Sequence, residues 1–187
     1  MITKLKPLTI ADWDAMPHGD GNRYEIIEGE LFVSRSPGLT HELVLINLIF
    51  LIRSFLKTNP IGTVVSTPGL ILSNFSGVIP DFVFFSREQR DTIVKDDRLH
   101  GAPALVVEIL SPGSTNVRRD RIAKLQLYAK HGVPEYWIID PRIMTLERYV
   151  DQGSSLILFE TLRYEDSLST TSLPGFSCQM SEIFSQF

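Results

Sequence analysis

The 187-residue chain has a single cysteine, Cys178, which excludes a disulfide within the chain and a cysteine-based zinc cluster. Its four histidines have no zinc-ligand spacing either. A protein with so little cysteine fits a reducing compartment, and we expect a cytoplasmic location.

Motifs for nucleotide cofactors and for membrane insertion are also missing. The sequence has neither a P-loop nor a G-x-G-x-x-G pattern, so nucleotide-cofactor functions lose their usual support. The opening segment MITKLKPLTIADWDAMP lacks the pattern of a secretory leader. The most apolar stretch, Leu43–Ile52, is interrupted by Asn47 and is too short to span a bilayer, so we expect a buried helix there.

The composition is that of an ordinary globular protein, with 43% hydrophobic and 21% charged residues. The length fits one domain over residues 1–187 with a full core. The formal net charge is −4, so nucleic acid would have to bind through a local basic surface.

The residue patterns predict alternating strands and helices. Tyr24–Ile27 and Leu31–Arg35 are typical of a hairpin, and a long helix is expected from about His41 to Lys57. An amphipathic helix is expected from Asn116 to about Lys130, and residues 86–104 are expected to form a surface loop with at most one helical turn. Short helices are predicted over 10–16 and 181–187. Further strands are predicted at Thr63–Ser66, Leu70–Leu72, Phe82–Phe85, Ala104–Leu110, Glu135–Asp140, Thr145–Val150 and Leu156–Leu162. This order predicts a mixed α/β fold, an α+β mixed sheet with helices packed on it.

Glu108 is the most informative residue, because it interrupts the apolar run Leu105–Leu110. Such runs form central strands covered on both faces, where a lone carboxylate must be paired or bind a metal. The alternative is that Glu108 points to solvent near the sheet end or pairs with a lysine or arginine.

Asp81 follows Pro80 at the start of another strand, where proline is tolerated. Alone it is equally typical of a turn. Together, Asp81 and Glu108 offer two hard oxygen ligands that suit Mg²⁺, and the backbone carbonyl of Ile109 is a candidate third ligand. Such an ion can orient and polarise a phosphodiester.

The helix after the Glu108 strand offers a basic face. Arg121, Lys124, Tyr128 and His131 fall on roughly one side of an α-helix. Lys124 is the candidate that holds the attacking water or neutralises charge on the phosphate. Its alternative is a solvated lysine paired with Asp120.

Two further residues are accessory candidates, Glu25 as a third carboxylate and His41 as a ligand at a helix start. The run Arg118, Arg119 and Arg121 either contacts phosphates or forms the exposed side of its helix.

The chain resembles the PD-(D/E)xK nuclease superfamily over nearly its whole length, and most closely its branch of bacterial restriction endonuclease-like proteins. The resemblance rests on YEIIEGEL (24–31), THELVLINL (40–48), VIPDFVFF (78–85), LVVEILSPGS (105–114), DRIAKLQLYAKHGVPEYWIID (120–140) and LPGFSCQMSEIF (173–184).

This resemblance implies an αβββαβ core with an added N-terminal hairpin and C-terminal strands. Asp81 matches the aspartate of the motif and Glu108 its Asp/Glu, but Leu110 stands where the motif has lysine. The branch carries that lysine on the following helix, which points to Lys124. It also implies Mg²⁺ or Mn²⁺ as the cofactor and a homodimer as the assembly.

We therefore expect a metal-dependent endonuclease with DNA as the substrate. The first alternative is a catalytically inactive nuclease-fold module that binds nucleic acid or protein, because the lysine is displaced. The second is a structural assembly protein, suggested by the aromatic residues in Pro80–Phe85 and at Tyr136-Trp137. Carboxyl groups of Asp81 and Glu108 on opposite sheet faces would favour the alternatives.

Overall fold

The structure is a computed structural model that describes residues 6–17, 19–111, 113, 119–153 and 155–185. The helices are Ile10–Asp14 (α1), Leu39–Thr58 (α2), Arg87–Ile93 (α3), Leu125–Lys130 (α4) and Met180–Ile183 (α5), and the π-helical segment Arg119–Lys124 leads into α4. The strands are Asn22–Ile27 (β1), Glu30–Arg35 (β2), Gly62–Ser66 (β3), Leu70–Ser73 (β4), Ser76–Val78 (β5), Phe82–Ser86 (β6), Val94–Lys95 (β7), Arg98–His100 (β8), Leu105–Ile109 (β9), Glu135–Asp140 (β10), Thr145–Asp151 (β11), Leu156–Leu162 (β12), Ser167–Ser169 (β13) and Ser177–Gln179 (β14).

The strands form two six-stranded sheets and one small pair. The first sheet has the order β2-β1-β5-β4-β8-β7 and the second the order β12-β11-β10-β9-β6-β3, while β13 pairs with β14. In the second sheet β9 runs parallel to β10 and antiparallel to β6. Strands β9 and β10 are parallel, so a helix connects them. Strand β9 lies inside the sheet, away from both edges.

Both faces of the second sheet are covered, which explains the apolar run in β9. Leu105, Val107 and Ile109 pack with buried residues of α2 in one core cluster. Val106 and Leu110 pack on the opposite face, with residues of α4 and of the first sheet. The second sheet therefore lies between α2 on one side and α4 with the first sheet on the other.

Helix α2 buries only one side in this core, whereas its apolar residues, which cover most of its circumference, predict burial on more than one side. Its buried residues are His41, Val44, Leu45, Leu48, Ile52 and Leu56. By length and composition alone α2 would also be able to cross a membrane, a test that core helices of soluble proteins pass as well.

The predicted αβββαβ core is present as α2, β3, β6, β9, the helix ending at Lys130, and β10. The N-terminal hairpin is also confirmed, and its turn residues Glu28 and Gly29 both have positive φ, 52° and 83°. Positive φ at both central residues is the geometry of a two-residue hairpin turn, and glycine adopts it without strain.

Other elements differ from the predictions. The expected loop 86–104 contains α3 and the small hairpin β7-β8, because Ser86 and Gln89 form a capping box that starts α3. Strands β5, β13 and β14 were not expected, since three-residue strands carry too little alternation to predict. The expected helix 116–130 is described only from Arg119, and its first part is π-helical rather than α-helical.

Candidate active site

Two carboxylates lie next to each other at the start of β6 and the end of β9. Val83 on β6 pairs with Val106 on β9, and both pack into the same core cluster. Asp81 lies two residues before Val83 and Glu108 two residues after Val106. Side chains two residues apart in a strand share a face, so both carboxyl groups lie on one face of the sheet. Both residues are almost fully buried, at 2% and 1% exposed.

The Asp81 carboxylate has three protein partners. Arg23 Nη1, from β1, donates to Oδ1 at 2.9 Å. Oδ2 lies 2.9 Å from His41 Nε2 at the start of α2 and accepts from the Ile109 backbone N–H, also at 2.9 Å. Burial opposes ionisation of Asp81, but the contact with His41, the charge of Arg23 and the Ile109 N–H hold its pKa well below the usual range.

The Glu108 carboxyl group is held by the helix that follows its strand. Lys124 Nζ lies 2.7 Å from Oε1, and the Tyr128 hydroxyl donates to the same oxygen at 2.9 Å. No described residue donates to Oε2. Burial raises the pKa of Glu108 to about 8, and the negative charge of Asp81 adds to this, although Lys124 opposes it.

Lys124 itself is completely buried, at 0% exposed. Burial alone would lower the pKa of its ammonium group, but the carboxylates of Glu108, Glu25 and Asp120 outweigh burial and raise it well above the usual range. Lys124 is therefore a permanent cation in this environment. It cannot take a proton from water at neutral pH.

Glu25 on β1 forms the next layer of this network. Its Oε1 lies 2.9 Å from Lys124 Nζ and accepts from the Ile79 backbone N–H at 2.8 Å. Arg119 Nη1 lies 3.6 Å from Glu25 Oε2, while Arg119 Nε donates to Asp120 Oδ1 at 2.8 Å. Burial raises the pKa of Glu25, but Lys124 and Arg119 reverse this and hold it below its usual value.

These residues form one continuous set of contacts, which we call the central cluster. Its members are Arg23, Glu25, His41, Asp81, Glu108, Arg119, Asp120, Lys124 and Tyr128. Among the described residues, two buried atoms of the cluster have no hydrogen-bond partner, Glu25 Oε2 and His41 Nδ1. The spare acceptor capacity of Glu25 Oε2 is compatible with a further partner beyond the described residues.

The donor set suits a hard divalent cation bound partly by water. In the described part of the chain, no three Asp, Glu, His or Cys side chains converge to form a complete metal cage. Asp81 and Glu108 supply two carboxylates. The Ile109 N–H points at Asp81, and in an extended residue the carbonyl points to the same side as the N–H. Two carboxylates and a carbonyl match the partial protein coordination that Mg²⁺ commonly has.

Six of the predicted side chains meet in the cluster, but Arg121 does not. Its guanidinium group pairs with Glu147 on β11 instead. The predicted helix face of Arg121, Lys124, Tyr128 and His131 is therefore wrong. The observed face carries Asp120, Lys124 and Tyr128 at intervals of four, because the wider turns of the π-helical segment shift the positions that face the sheet.

Three members of the cluster were not singled out as candidates from the sequence. Arg23 lies two residues before Glu25, and this alternation in β1 is the signal that would have identified it. Asp120 appeared only as a partner for a solvated Lys124, yet it is 1% exposed. Arg119 belongs to the basic run, and its side chain is only 10% exposed and paired with Asp120, so it is not on an exposed helix side. Arg118 lies outside the described residues.

Comparison with known proteins gives a consistent result. Residues 10–181 match the Uma2 family, described as "Putative restriction endonuclease". A crystal structure of a putative nuclease belonging to DUF820, from Anabaena variabilis ATCC 29413, superposes with a TM-score of 0.74 at 20% identity, covering 95% of this chain and 98% of that one. The type IIG restriction endonuclease BpuSI gives a TM-score of 0.43 at 12% identity over 77% of this chain and 15% of that chain. No curated protein sequence matches. The solved nuclease confirms the restriction endonuclease-like fold.

Proposed function

Because the chain belongs to the Uma2 family of putative restriction endonucleases, we propose that it is a divalent-metal-dependent endonuclease that hydrolyses phosphodiester bonds in DNA. The observation that carries this proposal is the pair of buried carboxylates, Asp81 and Glu108, on one face of adjacent strands. Buried acids of this kind persist when cations compensate their charge or when a raised pKa keeps them protonated. The cluster supplies protein cations that compensate these acids, and the carboxylate oxygens can also bind a metal ion.

Asp81, Glu108 and the Ile109 carbonyl are the proposed ligands of Mg²⁺ or Mn²⁺. When bound, such an ion supplies Lewis-acid polarisation of a phosphoryl oxygen and fixes the orientation of the scissile bond. The lowered pKa of Asp81 keeps this carboxylate ionised at neutral pH. Glu108 loses its proton when a cation arrives, because metal binding competes with protonation of a ligand.

The remaining members of the cluster act through these ligands. Lys124 and Tyr128 fix the position of Glu108 through its Oε1, which leaves Oε2 as the oxygen for a cation. His41 fixes Asp81 through Oδ2. Lys124 donates to Glu108 and Glu25, so we assign it a positioning and charge-balancing role in this state. Contacts that orient metal ligands in this way commonly change metal affinity or activity by about 10- to 100-fold.

The test is a cleavage assay on plasmid and linear DNA with Mg²⁺ or Mn²⁺. We expect Asp81→Ala and Glu108→Ala to lose roughly 10²-fold or more of the activity. Glu147→Ala is the matched control, because this carboxylate pairs with Arg121 outside the cluster and should leave cleavage nearly unchanged. Equal activity of all three variants and the parent would refute the assignment.

A specific observation favours a second candidate, a nuclease-fold module that binds nucleic acid without cleaving it. Both oxygens of Asp81 already have protein partners, and one of these is the guanidinium group of Arg23. Calorimetric titration with Mn²⁺ separates the two candidates. DNA binding without any Mn²⁺ binding at the cluster would favour the non-catalytic module. A cytoplasmic location and a homodimer, the latter because cutting both strands of a duplex needs two sites, stay predictions.

A further inference from the structure

A second basic feature lies at the other end of the second sheet. A groove of about 500 Å³ is formed by the last turns of α2, the start of β3 and the helix α3. Four cationic side chains line it, and no acidic residue does: the cations are Arg53, Lys57, Arg87 and Arg90. All four are exposed. We call this feature the basic groove.

The cations of the basic groove lack counterions among the residues that the structure describes, since no carboxylate lies within 4.0 Å of any of them. Some cations elsewhere on the surface do have a close acidic partner. Arg98, Lys130 and Arg142 each pair with an acid. In a chain with a net charge of −4, four cations without a close ion pair around one concavity raise the positive potential there and attract anions, although Glu88 beside Arg87 offsets part of that potential.

Helix stability does not account for this arrangement. Lys57 is favourable in the last turn of α2, where the helix dipole attracts a cation. Arg87, however, is the first residue of α3, the end at which the dipole disfavours positive charge. Phe50 also lines the groove with 69% of its surface exposed. An exposed aromatic ring among unpaired cations matches the combination that binds bases and phosphates together.

The basic groove is separate from the central cluster but joined to it by two elements. Helix α2 carries His41 at its first turn and Lys57 at its last, about 24 Å apart at 1.5 Å per residue. Asp81 directly precedes strand β6 and Arg87 directly follows it, so these two residues lie about 20 Å apart at 3.3 Å per residue. Along a nucleic acid this separation is about six nucleotides at 3.4 Å each.

We propose that the basic groove is an exosite that binds the phosphodiester backbone of a nucleic acid about six nucleotides from the bond placed at Asp81 and Glu108. The identity of the anion as nucleic acid rests on the proposed function. The chemistry that the groove recognises is a chain of phosphates flanked by bases, with the four cations on the phosphates and Phe50 against a base or sugar.

The test measures binding apart from cleavage. Glu108→Gln protein in EDTA is titrated into a labelled random-sequence duplex of about 20 base pairs between about 50 and 200 mM salt, and anisotropy gives Kd. In the groove variant all four cations become Gln. The control variant carries the same charge change on four exposed cations outside the groove: Lys95, Lys130, Arg142 and Arg163.

Each phosphate contact contributes about 0.9 to the slope of log K against log salt. The groove variant should therefore lose about three to four from that slope, while the control variant keeps the parent slope within about one. Should the fourfold variant fail to fold, the pairs Arg53→Gln/Lys57→Gln and Arg87→Gln/Arg90→Gln should each lose about half as much. Equal slopes in groove and control variants would overturn the exosite.

Cleavage kinetics then separate failure of the exosite from failure of the proposed function. With Glu108 restored, the groove variant should raise KM for long DNA without changing kcat, and should match the parent on substrates shorter than about six nucleotides. Absence of cleavage in every protein, with the slope loss intact, would refute the endonuclease and leave the exosite standing. Single-stranded DNA and RNA probes identify which backbone is preferred. Binding to phosphatidylserine vesicles but to none of these nucleic acids would overturn the proposal.

Discussion

Replacing Lys124 by methionine tests whether charge compensation holds the central cluster together. Methionine keeps the length of the side chain and the helix propensity of lysine, so the change removes mainly the charge. Lys124 Nζ lies 2.7 Å from Glu108 and 2.9 Å from Glu25, both almost fully buried. After the substitution, Glu25 retains the Ile79 backbone N–H, and Arg119, whose Nη1 is 3.6 Å away, is the remaining cation within 4 Å among the described residues. Removing one partner of a buried ion pair destabilises a protein by about 3–5 kcal/mol.

The pH dependence follows from Glu25. Its folded pKa is lowered in the parent, so its stabilising contribution is present above the unfolded value of 4.5 and is lost as the pH falls through the lower folded value. Without Lys124 that contribution disappears. The difference between parent and variant should therefore be largest at and above about pH 7 and should shrink below pH 4.5. Glu108 contributes little to the difference well below pH 8, because its folded pKa of about 8 leaves it mostly protonated there, and its contribution grows as the pH approaches and passes that value.

The assay is urea unfolding of metal-free protein across this pH range. Lys130→Met is the matched control on the same helix, because Lys130 pairs with Glu28 at the surface and its side chain is 60% exposed. Such exposed pairs contribute about 0–1 kcal/mol. Adding Glu25→Gln to Lys124→Met should recover part of the loss, about 0.5–3 kcal/mol of coupling. A Lys124→Met loss no greater than that of Lys130→Met would refute the reasoning.

Two further predictions concern metal binding. Because burial raises the pKa of Glu108 to about 8, the affinity for Mn²⁺ should rise with pH up to about 8 and then level off. Calorimetry in two buffers should count about one proton released per bound ion near pH 6–7. An affinity that does not change with pH would contradict this prediction. Arg23→Gln should remove the cation that occupies Asp81 Oδ1 and so tighten Mn²⁺ binding by about tenfold, equivalent to roughly 1.4 kcal/mol. The same substitution should lower the stability of the metal-free protein. Weaker Mn²⁺ binding, measured by electron paramagnetic resonance, would show that Arg23 does not compete with the metal.

The strands of the sheet were predictable because their residue patterns are local. The bounds Glu135–Asp140 and Leu156–Leu162 agree with the structure, and the buried carboxylate of Glu108 followed from the apolar run around it. Alternation at period two, or an acid within a buried run, can be identified without any tertiary contact.

The residues that surround Asp81 and Glu108 were less predictable, because their positions depend on contacts between distant parts of the chain. Arg23 reaches Asp81 across 58 positions, and a single arginine near the N-terminus has no local signal for that contact. The face of the helix after β9 was misassigned because a repeat of 3.6 was assumed where the chain is π-helical at Arg119–Lys124. Such departures from the α-helical repeat often occur at functional sites.

The charges of the central cluster suggest why its acids can stay buried before a metal binds. The raised pKa of Glu108 favours its protonated form at neutral pH, and the other three carboxylates of the cluster, Glu25, Asp81 and Asp120, then face three cations, Arg23, Lys124 and Arg119, in a count that leaves His41 out. A divalent ion that displaces the Glu108 proton changes this balance to one net positive charge. One phosphodiester carries one negative charge and restores neutrality. Under the proposed function, the charges of the buried site therefore sum to zero when the site is empty and when metal and substrate are bound together. With the metal alone, one net positive charge remains. Metal affinity should then increase when a nucleic acid occupies the site, which is the thermodynamic linkage expected when one ligand neutralises the charge introduced by the other.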